Sequence, residues 1–204
     1  MEKWDAKKAL KALYAPPRKD FTFTDIPAFD YFMVDGGGGP GSPAYAEAVE
    51  ALYAAAYTLK FMSKSDGRDY VVPPLQALWW AEDMSDFITR KKENWLWTVM
   101  LLIPPFVPVD SARKAIDTAR AKKGLPGLSL IRVEELTEGT CAQILHVGSY
   151  EDEAPTLHRL HHEVLPSRGY AMRGRHHEIY LNDPRRTAPE KLKTILRQPV
   201  MKTG

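Results

Sequence analysis

The stretch Phe29-Asp30-Tyr31-Phe32-Met33-Val34, followed by Gly36-Gly37-Gly38-Gly39-Pro40-Gly41 and then Ser42-Pro43, decides the architecture. The first part is aromatic and apolar, as a strand is, and the glycine run breaks it abruptly into a turn. Ser42 offers an N-cap hydroxyl, and Pro43 fits the first helical position, where its missing N–H is no loss. With Glu47 early in it, the helix runs to about Met62. Two strands are expected next, one near Tyr70 to Val72 and one from Leu75 to Ala81. A charged connection, Asp83 to Asn94, then leads into the strongest strand of the chain, Trp95 to Ile103, which Pro104-Pro105 closes.

Outward from this module the order repeats. Asp110 caps a helix through Lys123, and Gly124-Leu125-Pro126-Gly127 turns into a strand over Leu130 to Leu136. A further strand, Cys141 to Val147, ends at Gly148. A helix from about Asp152 to Leu165, a glycine-containing turn and the strand His177-Glu178-Ile179-Tyr180-Leu181 follow. The run Arg185 to Arg197 reads as a capped basic helix with a solvated face. Ahead of everything, Trp4, Leu10, Leu13 and Tyr14 make a short amphipathic helix that Pro16-Pro17 stops, too little chain for a DNA-reading helix-turn-helix domain. The chain therefore reads as an N-terminal helical extension (1–20) and two halves of like element order, about 21–108 and 109–204, which would pack about a pseudo-twofold axis and leave a ligand cleft between them.

Composition narrows the function. With 204 residues, 44% hydrophobic and 26% charged, the chain is an ordinary globule, and 28 basic against 26 acidic residues leave only +2. That balance gives no field to attract nucleic acid or anionic lipid. The single cysteine, Cys141, cannot close an intramolecular disulfide, no apolar run approaches the ~20 residues of a membrane helix, and the start Met1-Glu2-Lys3-Trp4-Asp5 resembles no signal peptide. A cytoplasmic protein with no nucleic-acid or membrane partner is expected.

The chemistry-bearing residues concentrate near the C-terminus. In a strand, Glu178 and Tyr180 share one face while Ile179 and Leu181 take the other, so an acid lies beside a phenol. An acid against aromatic walls can donate a proton, accept one, or balance a cationic guest. An edge strand whose polar face meets water accounts for the same alternation. Trp79, Trp80, Trp95 and Trp97 fall on two neighbouring strands; Trp79 and Trp80 take opposite faces, so they cannot both be core. Tyr53, Tyr57 and Phe61 recur every four residues, a spacing usual for core, with Tyr57 the candidate for a pocket wall. His158 and His162 lie one turn apart with His161 between, and His176 and His177 follow. No acid or cysteine follows at a metal-site interval, so a solvated face is expected, with no metal and no cofactor. The glycine run has no Lys-Ser/Thr ending, and there is no Gly-x-Ser-x-Gly elbow. Aligning Asp83 with Asp183 sets Trp80 opposite Tyr180 and Leu78 opposite Glu178.

The segment His176 to Arg186 with Pro189-Glu190-Lys191-Leu192-Lys193-Thr194, the strand Trp95 to Met100, the run Pro74 to Trp80 and the turn Val34-Asp35-Gly36 together resemble the GyrI-like small-molecule-binding proteins. The resemblance covers about residues 20 to 202. It implies an α+β fold of two tandem β-α-β-β modules, about 21–108 and 109–204, forming a pseudo-twofold antiparallel sheet with helices, with a glutamate at the position of Glu178 facing a cleft among aromatic residues. Relatives of this length with tryptophan-rich strands resemble cyclopropanoid cyclopropyl hydrolases, which open DNA-alkylating natural products of the yatakemycin and CC-1065 type. The resemblance thus implies detoxifying hydrolysis, with Glu178 and Tyr180 as catalytic residues and Trp80, Trp95, Trp97, Tyr57, Leu78 and His176 at the ligand. The alternative is binding without turnover of planar or cationic lipophilic molecules, with Glu178 as counter-ion. The glycine run departs from the family's Gly-x-Gly-Asp-Pro turn by losing its acid.

Overall fold

A computed structural model describes residues 3–83, 86, 89 and 91–204. Part of the connection expected over Asp83 to Asn94 lies outside the described residues. The strands are β1 (Thr22–Ile26), β2 (Phe29–Gly37), β3 (Leu75–Trp80), β4 (Leu96–Leu102), β5 (Arg132–Leu136), β6 (Gly139–Val147), β7 (Tyr170–Met172), β8 (His176–Tyr180) and β9 (Lys193–Lys202). They divide between two compact units, Met1–Ala9 with Phe29–Leu136 and Leu10–Ala28 with Thr137–Gly204. The fold is α+β and its strand pairs within each unit are antiparallel.

In the first unit the strand order is β3-β4-β2-β5. β4 is a central strand with both faces covered, which is why Trp97 to Leu102 is buried without interruption and shows no alternation of polarity. The helix Pro43–Ser65 begins as the sequence indicates: Ser42 Oγ accepts from the Tyr45 N–H at 3.3 Å, and Pro43 opens the first turn. It lies against β2 and β4 and against the helix Val109–Lys123. Its buried face is Ala48, Ala51, Leu52, Ala55 and Leu59, where the alanines permit a close approach and the leucines fill the core. Because these alanines supply the core face, the aromatic stripe is turned outward: Tyr57 is 46% exposed and Phe61 59%. The usual expectation for that spacing, a core stripe, fails here.

The second unit has the order β1-β6-β9-β8, with β7 added to β9. Between β6 and β8 the chain makes one helical segment, a 3-10 turn over Tyr150–Glu153, an α-helical piece over Ala154–Arg159, a π turn over Leu160–Val164 and a last turn over Leu165–Ser167. Leu157, Leu160, Val164 and Leu165 pack on Ala142 and Ile144 of β6 and Leu196 and Val200 of β9. The repeated grammar is visible in the pairing. β4 lies between β3 and β2, as β9 lies between β8 and β6, each time strand, helix, strand, strand. The units are interleaved along the chain, since β1 leads into β2 but pairs with β6, while β5 leads into β6 but pairs with β2.

Several local expectations are corrected. Tyr70 to Val72 is not a strand; Tyr70 makes only an isolated bridge to Trp4, because Pro73 and Pro74 remove the donors a ladder needs. The N-terminal helix is two single turns, Ala6–Ala9 and Lys11–Tyr14, interrupted at Leu10. The glycine run does not end β2 at Val34: Gly36 and Gly37 still pair with Trp97 and Leu96, and the turn begins at Gly38, whose φ is 92°. Most notably, the basic helix over Arg185 to Arg197 does not exist. Pro189–Lys191 is one 3-10 turn, and Lys193 onward is β9, whose β-branched and apolar residues pair with β6 on one side and β8 on the other. No helix among the described residues is long and apolar enough to cross a membrane.

Candidate active site

Alternation along β8 puts His176, Glu178 and Tyr180 on one face and His177 and Ile179 on the other. Across the ladder Glu178 faces Leu196 and Tyr180 faces Thr194. Leu196 is part of the cluster beneath the helical segment, so Glu178 stands on the helix-covered face of its sheet. Its side chain is 16% exposed, far from the solvated edge that alternation alone allows. The Tyr180 hydroxyl donates to Glu178 Oε2 at 2.7 Å, and His176 Nε2 is 3.6 Å from Oε1. Tyr150, in the first turn of the helical segment, sets its ring edge-on to Tyr180 at 5.7 Å between centroids. The acid is therefore flanked by two phenols and an imidazole.

A second carboxyl shares this environment. Glu153 is 4% exposed, and burial, reinforced by the charge of Glu178 and eased by Thr194, pushes its carboxyl up to about 10. Two buried acids that feel each other's charge cannot both ionise cheaply. At neutral pH Glu153 therefore keeps its proton. Burial, with the charges of Glu178, Glu153 and Asp183, likewise pushes the Tyr150 phenol up to about 12. His161 is pushed down to about 4 by burial and then by His176, His162 and His158, so it is neutral at pH 7. The site therefore combines an acid held by a phenol, a neutral acid and a neutral imidazole, a set suited to moving protons at a small ligand. The His158 and His162 rings are 4.4 Å apart, yet among the described residues no three His, Cys, Asp or Glu side chains are placed to hold a metal ion.

The indole-rich strands belong to the first unit and divide by face. Trp79 and Trp97 pair directly across β3 and β4 on the side of the long helix. Tyr45 stacks on Trp79 at 5.6 Å and meets Trp97 edge-on at 5.2 Å, and Trp95 meets Trp79 edge-on at 5.9 Å. Trp97, expected at the ligand, is instead core: it is 1% exposed and lies over Gly36, where any Cβ would come within 2.2 Å of its ring. That contact is the physical reason for glycine at 36. Trp95 is half-buried and donates its Nε1–H to the Asp86 carbonyl at 3.2 Å. Leu78 and Trp80 are on the opposite face with Tyr31, Met33, Met100 and Leu102; Leu78 is buried and Trp80 half-buried. Thus Glu178, Tyr180 and His176 are brought together in one unit, while Trp80, Trp95, Leu78 and Tyr57 are spread over different faces of the other.

Residues 19–201 match the model of the GyrI-like small molecule binding domain. The chain belongs to the GyrI-like family. Among solved structures, this GyrI-like protein is similar to two described as hydrolases from Listeria innocua, at 39% and 41% identity with TM-scores of 0.85 and 0.86. Each comparison covers 98% of this chain and 100% of the other. A conserved protein from Listeria innocua is 41% identical with a TM-score of 0.89 over the same shares. The C-terminal domain of EcmrR, at 12% identity, covers 90% of this chain and 98% of its own with a TM-score of 0.56, which bears on the fold alone. No curated protein matches the chain significantly.

In this GyrI-like chain, Glu153 and Tyr150 join the site without having been singled out by sequence, and His161, expected on a solvated face with His158 and His162, is partly buried beside it. The acidic run Glu151-Asp152-Glu153 looks like a helix start, and only the third member is buried. One usable signal existed: a strand that ends at Gly148 and is followed at once by Tyr150 places an aromatic residue and an acid on the first turn over the sheet.

Proposed function

We propose that this protein is a small-molecule hydrolase that opens the cyclopropane ring of flat DNA-alkylating compounds of the yatakemycin and CC-1065 type. The observation that carries this reading is the 2.7 Å bond from the Tyr180 hydroxyl to a Glu178 carboxylate largely withdrawn from solvent. It is supported by the two Listeria innocua structures described as hydrolases, similar over the whole chain.

The chemistry asks little of the protein. Water attacks the cyclopropane CH2, a C–O bond forms, and the bond from that carbon to the spiro centre breaks. The electron pair passes into the dienone, whose oxygen ends protonated as a phenol. Glu178 accepts the proton that the water loses, and that proton is the one the product oxygen finally carries. Tyr180 fixes the carboxylate through Oε2, leaving Oε1 to meet the water. Rings of Tyr150 and Tyr180 offer a stacking wall, and His176, beside the Glu178 carboxylate, is a proposed ligand contact to be tested by replacement with Ala.

Help of this kind is typically worth ~10²–10⁴ in rate. Incubation with a cyclopropanoid alkylator, followed by mass analysis, is expected to show a ring-opened hydrate accumulating beyond one equivalent of protein. Product limited to the uncatalysed rate, with the alkylator protected stoichiometrically, favours sequestration with Glu178 as counter-ion and defeats the enzymatic reading.

A further inference from the structure

Glu153 has no structural reason to be where it is. A carboxylate at the first turn of a helix serves the helix dipole equally well from the solvent side, as Glu151 and Asp152 do. Burying an acid without a cation is costly, and none of the groups that perturb Glu153 is a cation: they are Glu178 and Thr194. Its surroundings are also incompletely bonded. Apart from the Trp97 indole, every buried polar side-chain atom without a hydrogen-bond partner among the described residues lies in this unit: Glu153 Oε1, Thr194 Oγ1, His161 Nε2, both ring nitrogens of His176, and Asn182 Oδ1. Thr194, 1% exposed, has its hydroxyl within reach of the Glu153 carboxyl, whose pKa it lowers, yet neither Thr194 Oγ1 nor Glu153 Oε1 is engaged in a well-formed hydrogen bond. Polar atoms that are neighbours but not bonded, on the same sheet face as a working carboxylate, are the partners a bridging water requires.

We propose that Glu153 is a positioning residue that, with Thr194, holds the attacking water against Glu178. This rests on the hydrolase reading above for the identity of the attacked molecule. A water in this place accepts one hydrogen bond from the Glu153 carboxyl O–H and donates to Glu178 Oε1 and to Thr194 Oγ1. One lone pair is left for the cyclopropane carbon. Glu153 neither gains nor loses a proton over the cycle; Glu178 alone takes up the proton of the water and passes it on. The titratable groups in electrostatic reach of Glu153 are Glu178 on β8 and Tyr150 on its own turn; Tyr150 in turn feels Glu178 and Asp183, and His176 and Tyr180 flank Glu178 itself.

The test uses the full chain, with a cyclopropanoid alkylator as substrate and carboxyl-¹³C-labelled glutamate as a second readout. Glu153→Leu is expected to lower kcat by about tenfold to 100-fold with KM little changed, the size of a misplaced reactant. Glu153→Gln, whose amide N–H donates where the acid O–H does, is expected to restore most of that loss. Wild-type turnover should fall as pH rises through about 10, and Glu153→Gln should lack that fall. In the label experiment one glutamate titrates near 10, moves down in Glu178→Gln, and vanishes in Glu153→Gln. Full turnover in Glu153→Leu, or equal losses in Leu and Gln variants, overturns the proposal. A wild type that opens no cyclopropanoid defeats the hydrolase reading instead. The carboxyl titration then decides the pairing, and a Glu153 signal indifferent to Glu178→Gln overturns it.

Discussion

Replacing Arg197 by Met tests how the strand beneath Glu178 is held. On the face of β8 and β9 opposite Glu178, His177 and Arg197 are cross-strand partners, and both reach Glu138. Glu138 Oε2 accepts from Arg197 Nη1 at 3.0 Å, and Oε1 lies 2.9 Å from His177 Nδ1. Arg197 also donates to Gln143 Oε1 and to the Leu13 carbonyl, so it ties the N-terminal segment of this unit to the sheet. Burial alone would raise the Glu138 carboxyl, but His177 and Arg197 outweigh it and bring the carboxyl down to about 2. His177 is itself pushed down by its complete burial, so at neutral pH it serves as an uncharged N–H donor and Arg197 is the standing counter-charge. Removing one partner of such a pair costs about 3–5 kcal/mol, because the remaining charge stays buried without compensation. The depression of Glu138 from 4.5 to about 2 corresponds to about 3 kcal/mol for His177 and Arg197 together, so Arg197 accounts for a part of it.

The sign of the pH dependence separates this cause from lost packing. In the wild type the folded-state value is depressed, so the Glu138 contribution is present above pH 4.5 and disappears as pH falls toward 2. In Arg197→Met, Glu138 loses its cation and its carboxyl rises. The variant is then relatively more stable in acid and weakens as pH increases. Urea denaturation at a series of pH values reads both effects, and at pH 7 the loss should correspond to roughly 10 °C in Tm. A variant destabilised by under 1 kcal/mol at pH 7, or one with the wild-type pH slope, refutes the reasoning.

Gly36→Ala forces a Cβ into the Trp97 ring and should destabilise by about 1–3 kcal/mol in thermal denaturation, with the loss relieved when Trp97 is replaced by Leu. Glu153→Gln should stabilise the fold at pH 7 but not at pH 4, since a raised carboxyl contributes fully below pH 4.5 and its contribution is lost as pH rises toward about 10; the gain at pH 7, read by urea titration, is on the order of 3 kcal/mol. Tyr180→Phe removes a hydrogen bond to a charged group, worth about 1.5–3 kcal/mol, and should appear as a fall in kcat larger than any rise in KM.

Much of the fold is legible in local chemistry. Ser42-Pro43 starts a helix because capping is a short-range interaction, and β2, β4, β6 and β8 announce themselves as apolar or alternating runs. β1 and β7 are short and partly exposed, and nothing within Thr22–Ile26 or Tyr170–Met172 distinguishes them from loop until β6 and β9 supply partners. β9 is not legible in the sequence because Pro189-Glu190-Lys191 imitates a helix start, and because a buried Arg197 looks like a surface charge until Glu138 is placed beside it. At the site, the shared face of Glu178 and Tyr180 follows from the period of a strand. The burial of Glu153 does not follow, since two neighbouring acids in the same run are exposed and only tertiary packing selects the third. The outward turn of Tyr57 and Phe61 was hidden for a similar reason: the alanines beside them make an equally good, and more closely packing, core face.

The central claim is that Glu178 activates water at a half-buried site. Its most direct test is ring opening of a cyclopropanoid alkylator in oxygen-18 water by the wild type and by Glu178→Gln. The expected product carries one heavy oxygen, and turnover in the variant is expected to be lower by ~10²–10⁴ with ligand binding retained. An unlabelled product, or a variant as fast as the wild type, contradicts it.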